Sequence, residues 1–190
     1  MIPLVLLAVL VAAIAVPSVW RRAVERAVAR RLPVGADGIV PGAQPIALVQ
    51  PASREAVLLL HGFGDTPQTF DKLAAALRVR GFAVYAPLLP GHGRTLRDFR
   101  ASGRAQWLAA ARAALASALA QHDRVGVAGL SMGGALAVVL AAESRAVAAL
   151  ALLAPYLEPP GSVRAFARSS TLIGTVMPDL AGRRARSIHD

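Results

Sequence analysis

Ser131 is the residue whose surroundings point most directly to chemistry. It lies at the centre of GLSMG, residues 129–133, which has the G-x-S-x-G pattern of a serine nucleophile. An apolar run before it and a weakly charged stretch after it predict a strand, a sharp turn and a helix. Such a turn projects the serine hydroxyl above the sheet, and Gly129 and Gly133 prevent Cβ collisions between the strand and the helix. We therefore predict that Ser131 is a nucleophile; the alternative is a spectator serine in an ordinary glycine-rich turn.

A second loop, HGFG at residues 61–64, offers the other half of a predicted site. It directly follows the apolar run of residues 56–60, so it leaves the end of a buried strand. A tetrahedral oxyanion needs two N–H donors, and a loop beside the nucleophile can present one of them. We predict that the backbone N–H groups of Phe63 and Met132 form this oxyanion hole.

Two histidines lie in the predicted loops, and we interpret both as structural residues rather than as general bases. His61 opens the HGFG loop and is expected to hydrogen-bond to loop backbone, with Gly62 and Gly64 supporting the turn. His92 lies in PGHG, residues 90–93, and is expected to shape that loop near the mouth of the site.

Short apolar runs alternate with amphipathic stretches from residue 39 onward, which is the pattern of a parallel sheet covered by helices. Predicted strands occupy residues 46–50, 56–60, 82–87, 124–130 and 147–153, and predicted helices begin near Thr66, Gln106 and Gly133. The last strand is expected to be buried. The sequence thus predicts a three-layer α/β/α fold with a mostly parallel sheet.

The N-terminal residues 1–20 carry no ionisable side chain, and a helix of that length matches the roughly 30 Å hydrocarbon core of a bilayer. Five arginines follow between residues 21 and 31, so the positive-inside bias predicts a single-pass membrane anchor with the domain on the cytoplasmic side. One alternative is a signal peptide cleaved after residues 13–15, which would make the protein secreted or periplasmic. The other is a buried helix of a soluble core.

Composition excludes several classes of site. The chain has 190 residues, 55% of them hydrophobic, and no Cys, which excludes disulfides, Cys-ligated metal sites and a cysteine nucleophile. Its net charge of +10 would suit nucleic acid, but no recognised binding module accompanies the charge. We therefore expect no nucleic-acid partner.

Three signatures stand in order along the chain: HGFG at 61–64, PGHG at 90–93 and GLSMGG at 129–134. Over residues 39–155 the chain resembles the α/β-hydrolase superfamily, in particular its carboxylesterase and monoacylglycerol-lipase-like branch. The resemblance implies hydrolysis of a carboxylic, often lipid-derived ester, with Ser131 as nucleophile and Phe63 and Met132 as oxyanion donors. It implies no metal and no organic cofactor, and a small-molecule acyl ester as partner.

The chain departs from this family in the acid and the base that complete a catalytic triad with the serine. The partners follow the nucleophile in the order acid, then His. Asp179 and His189 keep that order, but neither follows a convincing strand, whereas family members place them after two further strands. We therefore expect a sheet that is incomplete at its C-terminal end, in the N-terminal part of a longer hydrolase. The expected organisation is a membrane segment at 1–20, a basic linker at 21–38, the hydrolase core at 39–158 and the start of a cap at 159–190.

Three functions remain compatible with these residues. The first is a membrane-anchored serine ester hydrolase that forms an acyl-enzyme on Ser131. The second is a catalytically incomplete fragment or a non-catalytic pseudo-hydrolase without the triad acid and His. The third is a serine peptidase or an acyltransferase on the same fold, because fold alone does not decide function.

Overall fold

The computed structural model describes residues 2–157, with the side chains of Val16 and of residues 18–157. These residues belong to two units, which meet in sequence between Pro33 and Val34. The helices of the described part are α1 (Ile2–Arg31), α2 (Asp71–Val79), α3 (Leu96–Ala101), α4 (Arg104–Leu119) and α5 (Met132–Glu143). Its strands are β1 (Ile46–Leu48), β2 (Glu55–Leu60), β3 (Ala83–Ala86), β4 (Arg124–Leu130) and β5 (Val147–Leu153).

Helix α1 is the described element of the first unit. It continues from the apolar stretch through the arginines and ends at Arg31, just before Pro33, which disfavours helical backbone in the residue that precedes it. Within the described residues no helix is long and apolar enough to cross a membrane. The transmembrane segment predicted for residues 1–20 is therefore not supported, and the side chains of residues 1–15 and 17 lie outside the described part.

The second unit is built on a five-stranded sheet with the strand order β1-β3-β2-β4-β5. Strands β3, β2, β4 and β5 run parallel, whereas β1 pairs antiparallel with β3. In parallel strands the carboxyl ends lie at the same edge of the sheet. The loops after β2, β3 and β4, which carry the three sequence signatures, therefore leave from one edge.

Helices cover both faces of this sheet, as the alternation of side chains along β2 requires. Leu58 and Leu60 point to one face and pack with residues of α4 and α5. Leu59 points to the other face and packs with Ala74 of α2 and with Phe70 of the 3-10 turn before α2. The mostly parallel three-layer arrangement expected from the sequence is confirmed for the described residues.

Two local expectations need correction. Strand β5 was expected to be buried, but six of its seven residues are exposed, because it is the last strand of the described sheet and no described strand lies beyond it. Helix α3 was not predicted at all. It is six residues long and begins with a capping box in which Thr95 and Asp98 each bond to the other's backbone N–H.

Substitution Leu58→Ala tests the core of the second unit. Leu58 is 0% exposed, so we expect a cavity and a loss of about 2–5 kcal/mol in the free energy of unfolding. Leu73→Ala is the matched control: Leu73 is 37% exposed on α2, and its loss should be below about 1 kcal/mol. Urea denaturation followed by circular dichroism measures both. Equal losses in the two variants would contradict the described core.

Candidate active site

Ser131 lies on the sharp turn between β4 and α5, where the sequence predicts it. Its backbone has φ 52° and ψ −113°, a region that residues other than glycine rarely adopt. Strain of this kind costs on the order of 1–3 kcal/mol and persists only where the surroundings enforce it. Ser131 is partly exposed at the end of the sheet.

Two glycines explain why the chain turns so tightly. A Cβ on Gly129 would collide with the carbonyl oxygen of Gly133, and a Cβ on Gly133 would collide with the carbonyl oxygen of Leu60. The first turn of α5 thus packs directly against the ends of β2 and β4 with no room for a side chain. This close approach leaves Ser131 as the single residue in which the chain reverses.

The end of β5 holds the turn in place, which the sequence did not reveal. The N–H of Ser131 donates to the carbonyl oxygen of Leu153 at 2.9 Å, and the N–H of Tyr156 donates to the carbonyl oxygen of Ser131 at 3.1 Å. The sequence predicted the strand itself. That parallel strands end at the same edge of a sheet was the one indication that the end of β5 lies beside Ser131.

The HGFG loop lies against this turn. A Cβ on Gly62 would be 3.5 Å from the Cβ of Ser131 and 3.5 Å from the carbonyl oxygen of Leu130. Among the described residues, no acceptor bonds to the N–H of Phe63 or of Met132. Met132 is the first residue of α5, whose initial N–H groups have no partner within the helix. The structure therefore brings Ser131 together with the HGFG loop and the start of α5, which carry the predicted oxyanion donors.

His61 joins the HGFG loop to the loop after β3. The N–H of Leu89 donates to its Nε2 at 3.0 Å, so Nε2 carries no proton, and Nδ1–H donates to the carbonyl oxygen of Gly62 at 3.0 Å. The pKa of His61 is lowered to about 4. Burial is the main cause and the nearby His92 adds to it, while the hydrogen bond to Gly62 acts in the opposite direction. His61 is thus neutral and fully engaged with backbone, consistent with the structural interpretation from the sequence.

His92 lies in an aromatic cluster behind the HGFG loop. Its ring centroid is 4.8 Å from that of His61, 4.9 Å from Phe99 and 5.4 Å from Trp107. Nδ1 bonds to the carbonyl oxygen of Pro90 at 3.2 Å, whereas Nε2 is buried with no partner among the described residues. Burial is the main reason that the pKa of His92 is lowered. The sequence did not indicate that Phe99 and Trp107 contact His92, because nothing in it shows which helices lie beside this loop.

The predicted acid and base, Asp179 and His189, lie outside the described residues. Within the described part, no side chain hydrogen-bonds to the hydroxyl of Ser131. The same residues contain no group of three His, Cys, Asp or Glu side chains able to hold a metal ion.

Comparison with known proteins gives a family match over most of the chain. The family described as serine aminopeptidase, S33 (Hydrolase_4) matches residues 51–189. A thermostable monoacylglycerol lipase of Bacillus sp. (strain H-257) is 36% identical over 85 residues, which are 45% of this chain and 34% of that enzyme.

Solved structures show the same fold. A structure reported for LipS and LipT, two metagenome-derived lipolytic enzymes, matches with a TM-score of 0.64 and 34% identity over 67% of this chain and 52% of that chain. The monoacylglycerol lipase of Paleococcus ferrophilus matches with a TM-score of 0.53 and 23% identity over 70% and 51%, a likeness of fold alone. The chain thus spans about half of these structures and about a third of the Bacillus enzyme.

Substitution Gly133→Ala tests the close contact under Ser131. The added Cβ meets the backbone of Leu60, so we expect a loss of about 1–3 kcal/mol or more in the free energy of unfolding. Gly126→Ala in β4 is the matched control, because its Cβ would lie 3.7 Å from that of Ala149, an ordinary contact. We expect that variant to stay within about 0.5 kcal/mol of the parent protein. Chemical denaturation measures both, and a tolerated Gly133→Ala would disprove the contact.

The lowered pKa of His61 predicts acid sensitivity. In the folded protein this pKa is about 4, whereas the pKa of a histidine in an unfolded chain is about 6.5. Between these values the unfolded state binds more protons, so the free energy of unfolding falls as pH decreases, by up to about 1.4 kcal/mol per pH unit, and above that window His61 contributes no pH dependence.

Urea denaturation at several pH values from 4.5 to 7.5 compares the wild type with His61→Gln. We expect a shallower acid slope in the variant, with a residual slope from His92, whose pKa is also lowered. The slope is compared rather than the stability itself, so a general destabilisation by the substitution does not affect the result. Identical slopes in both proteins would refute the buried neutral state of His61.

Proposed function

The chain belongs to the serine aminopeptidase S33 family of α/β-hydrolases, and we propose that it is a serine ester hydrolase that acts on carboxylic esters through Ser131. The family and its lipase and esterase relatives support a carboxylic ester hydrolase. The acyl-enzyme mechanism, the role of each site residue and the lipid-derived substrate are the proposal.

The observation that carries the proposal is the backbone of Ser131. A serine held at φ 52° at the first turn of a helix is strained, and strain of this kind is concentrated at functional sites. The hydroxyl lies beside two loops whose Phe63 and Met132 N–H groups are unused among the described residues. A spectator serine would require neither the strain nor the free donors.

The reaction proceeds in two steps. The Ser131 Oγ bonds to the ester carbonyl carbon, and the carbonyl oxygen becomes an oxyanion that accepts hydrogen bonds from the N–H groups of Phe63 and Met132. The bond from that carbon to the alcohol oxygen then breaks, and the alcohol leaves with the proton that the serine gave up. Water repeats the sequence on the acyl-enzyme and releases the carboxylic acid and free Ser131.

The proton must travel through a base. Among the described histidines, His61 uses both ring nitrogens on backbone groups, and His122 bonds to the hydroxyl of Tyr85 and to the carbonyl oxygen of Ser53. The ring of His92 is buried inside the aromatic cluster, and none of the three hydrogen-bonds to the hydroxyl of Ser131. Asp179 and His189, which follow Ser131 in the required order, are the chain's own candidates for acid and base. Their role stays a prediction.

The substrate class is proposed from the relatives. A monoacylglycerol lipase and lipolytic enzymes are among the proteins that this chain resembles at more than 30% identity, so an ester with an apolar acyl group is the substrate we propose. The location expected from the sequence, with the domain on the cytoplasmic side of a membrane or, alternatively, secreted or periplasmic, stays a prediction.

Labelling with a fluorophosphonate tests the nucleophile. The Ser131 Oγ bonds to phosphorus, fluoride leaves, and the hydroxyl proton passes to solvent. We expect the adduct on the tryptic peptide of residues 125–145, which contains Ser131, and its absence in Ser131→Ala. Ser117→Ala, an exposed serine of α4, is the control and should label as the wild type does. Labelling that persists in Ser131→Ala, or an unlabelled wild type, would refute the proposal.

A further inference from the structure

We propose that the side chain of Phe63 forms the wall against which the apolar acyl chain of the ester packs, so that Phe63 determines acyl-chain preference. The inference rests on the proposed ester hydrolysis at Ser131. It assigns to the side chain of Phe63 a task separate from the oxyanion contact, which uses only the backbone N–H of this residue.

Phe63 is exposed to solvent and is also packed against other aromatic rings. The residue is 57% exposed, although a large aromatic ring in water is unfavourable. The inner side of the ring contacts Phe99 at 5.0 Å and Trp107 at 5.8 Å between ring centroids, and the contact with Trp107 is edge-to-face. The ring is therefore held by packing while much of its surface stays open to a ligand.

The support behind Phe63 is itself fixed by hydrogen bonds. The Trp107 Nε1–H donates to the carbonyl oxygen of Pro90 at 3.0 Å and lies 3.2 Å from the Oγ of Ser102. His92 fills the space behind both rings, with its centroid 6.3 Å from Phe63 and 5.4 Å from Trp107. A wall that is already ordered loses little side-chain entropy when a ligand packs on it.

The backbone of Phe63 lies close to Ser131. Gly62 is adjacent to Ser131, and the Cα of Phe63 is one peptide unit, about 3.8 Å, further along the loop. When the ester oxygen accepts the Phe63 N–H, the acyl carbon is held beside the same residue. The first methylenes of the acyl chain then lie near the exposed ring of Phe63, where they lose contact with water on binding.

The experiment compares alkyl fluorophosphonates that carry either a short or an octyl chain on phosphorus. For each probe the labelling of Ser131 yields a binding constant and a maximal rate. In Phe63→Ala we expect the binding constant of the octyl probe to weaken about tenfold more than that of the short probe, whereas any change in the maximal rate is the same for both probes, because both use the same backbone N–H. Phe63→Leu, which keeps an apolar side chain, should recover most of the octyl binding.

A purely structural role gives a different result. If Phe63 only stabilised the loop, Phe63→Ala would weaken the binding of both probes by the same factor, and the inference would be wrong. It would also be wrong if octyl binding were unchanged, or if the effect appeared only with the octyl chain on the alkoxy oxygen, which represents the alcohol side. Trp20→Ala is the matched control, an aromatic 52% exposed on α1, and should change neither constant.

The outcomes distinguish a failure of this inference from a failure of the proposed ester hydrolysis. An unlabelled Ser131 in the wild type would refute the proposed hydrolase and the inference together. Normal labelling of the wild type, with no chain-length effect in Phe63→Ala, would leave the proposed hydrolase standing and refute only the role of Phe63. Thermal melting of each variant shows whether the fold is intact before the constants are compared.

Discussion

The direct contact between the first turn of α5 and the ends of β2 and β4 is the constraint on which the rest of the site depends. No side chain fits between Gly133 and the carbonyl of Leu60, or between Gly129 and Gly133. The chain must therefore reverse within one residue, and Ser131 adopts a positive φ. Close packing thus puts Ser131 on the turn at the end of the sheet, where, among the described residues, no acceptor bonds to the N–H of Met132, the first residue of the helix.

The strain at Ser131 persists because hydrogen bonds from another strand oppose its relaxation. Leu153 and Tyr156 bond to the two backbone groups of Ser131 from the end of β5. The facing loop is fixed independently, since His61 bridges Gly62 and Leu89 only as long as its ring stays neutral. Burial maintains that neutrality by lowering the pKa of His61. Two separately anchored segments therefore meet at the serine, and neither can move without breaking these hydrogen bonds.

The aromatic cluster links this local geometry to the remainder of the domain. His92 and Phe63 come from loops after different strands, while Phe99 and Trp107 come from α3 and α4. Their rings meet behind the HGFG loop, so the position of the loop depends on helices distant from it in sequence. Among the described residues, the buried Nε2 of His92 has no hydrogen-bond partner inside this cluster.

Features with a local cause could be predicted from the sequence alone. Apolar runs located the five strands of the described part, and the G-x-S-x-G spacing located the turn at Ser131, because the end of the strand, the glycine contact and the start of the helix all involve neighbouring residues. Tertiary structure decided the rest. The exposure of β5, the bonds from Leu153 and Tyr156 and the rings around His92 depend on which elements become neighbours, and residues far apart in sequence are brought together only by the completed sheet and its helices.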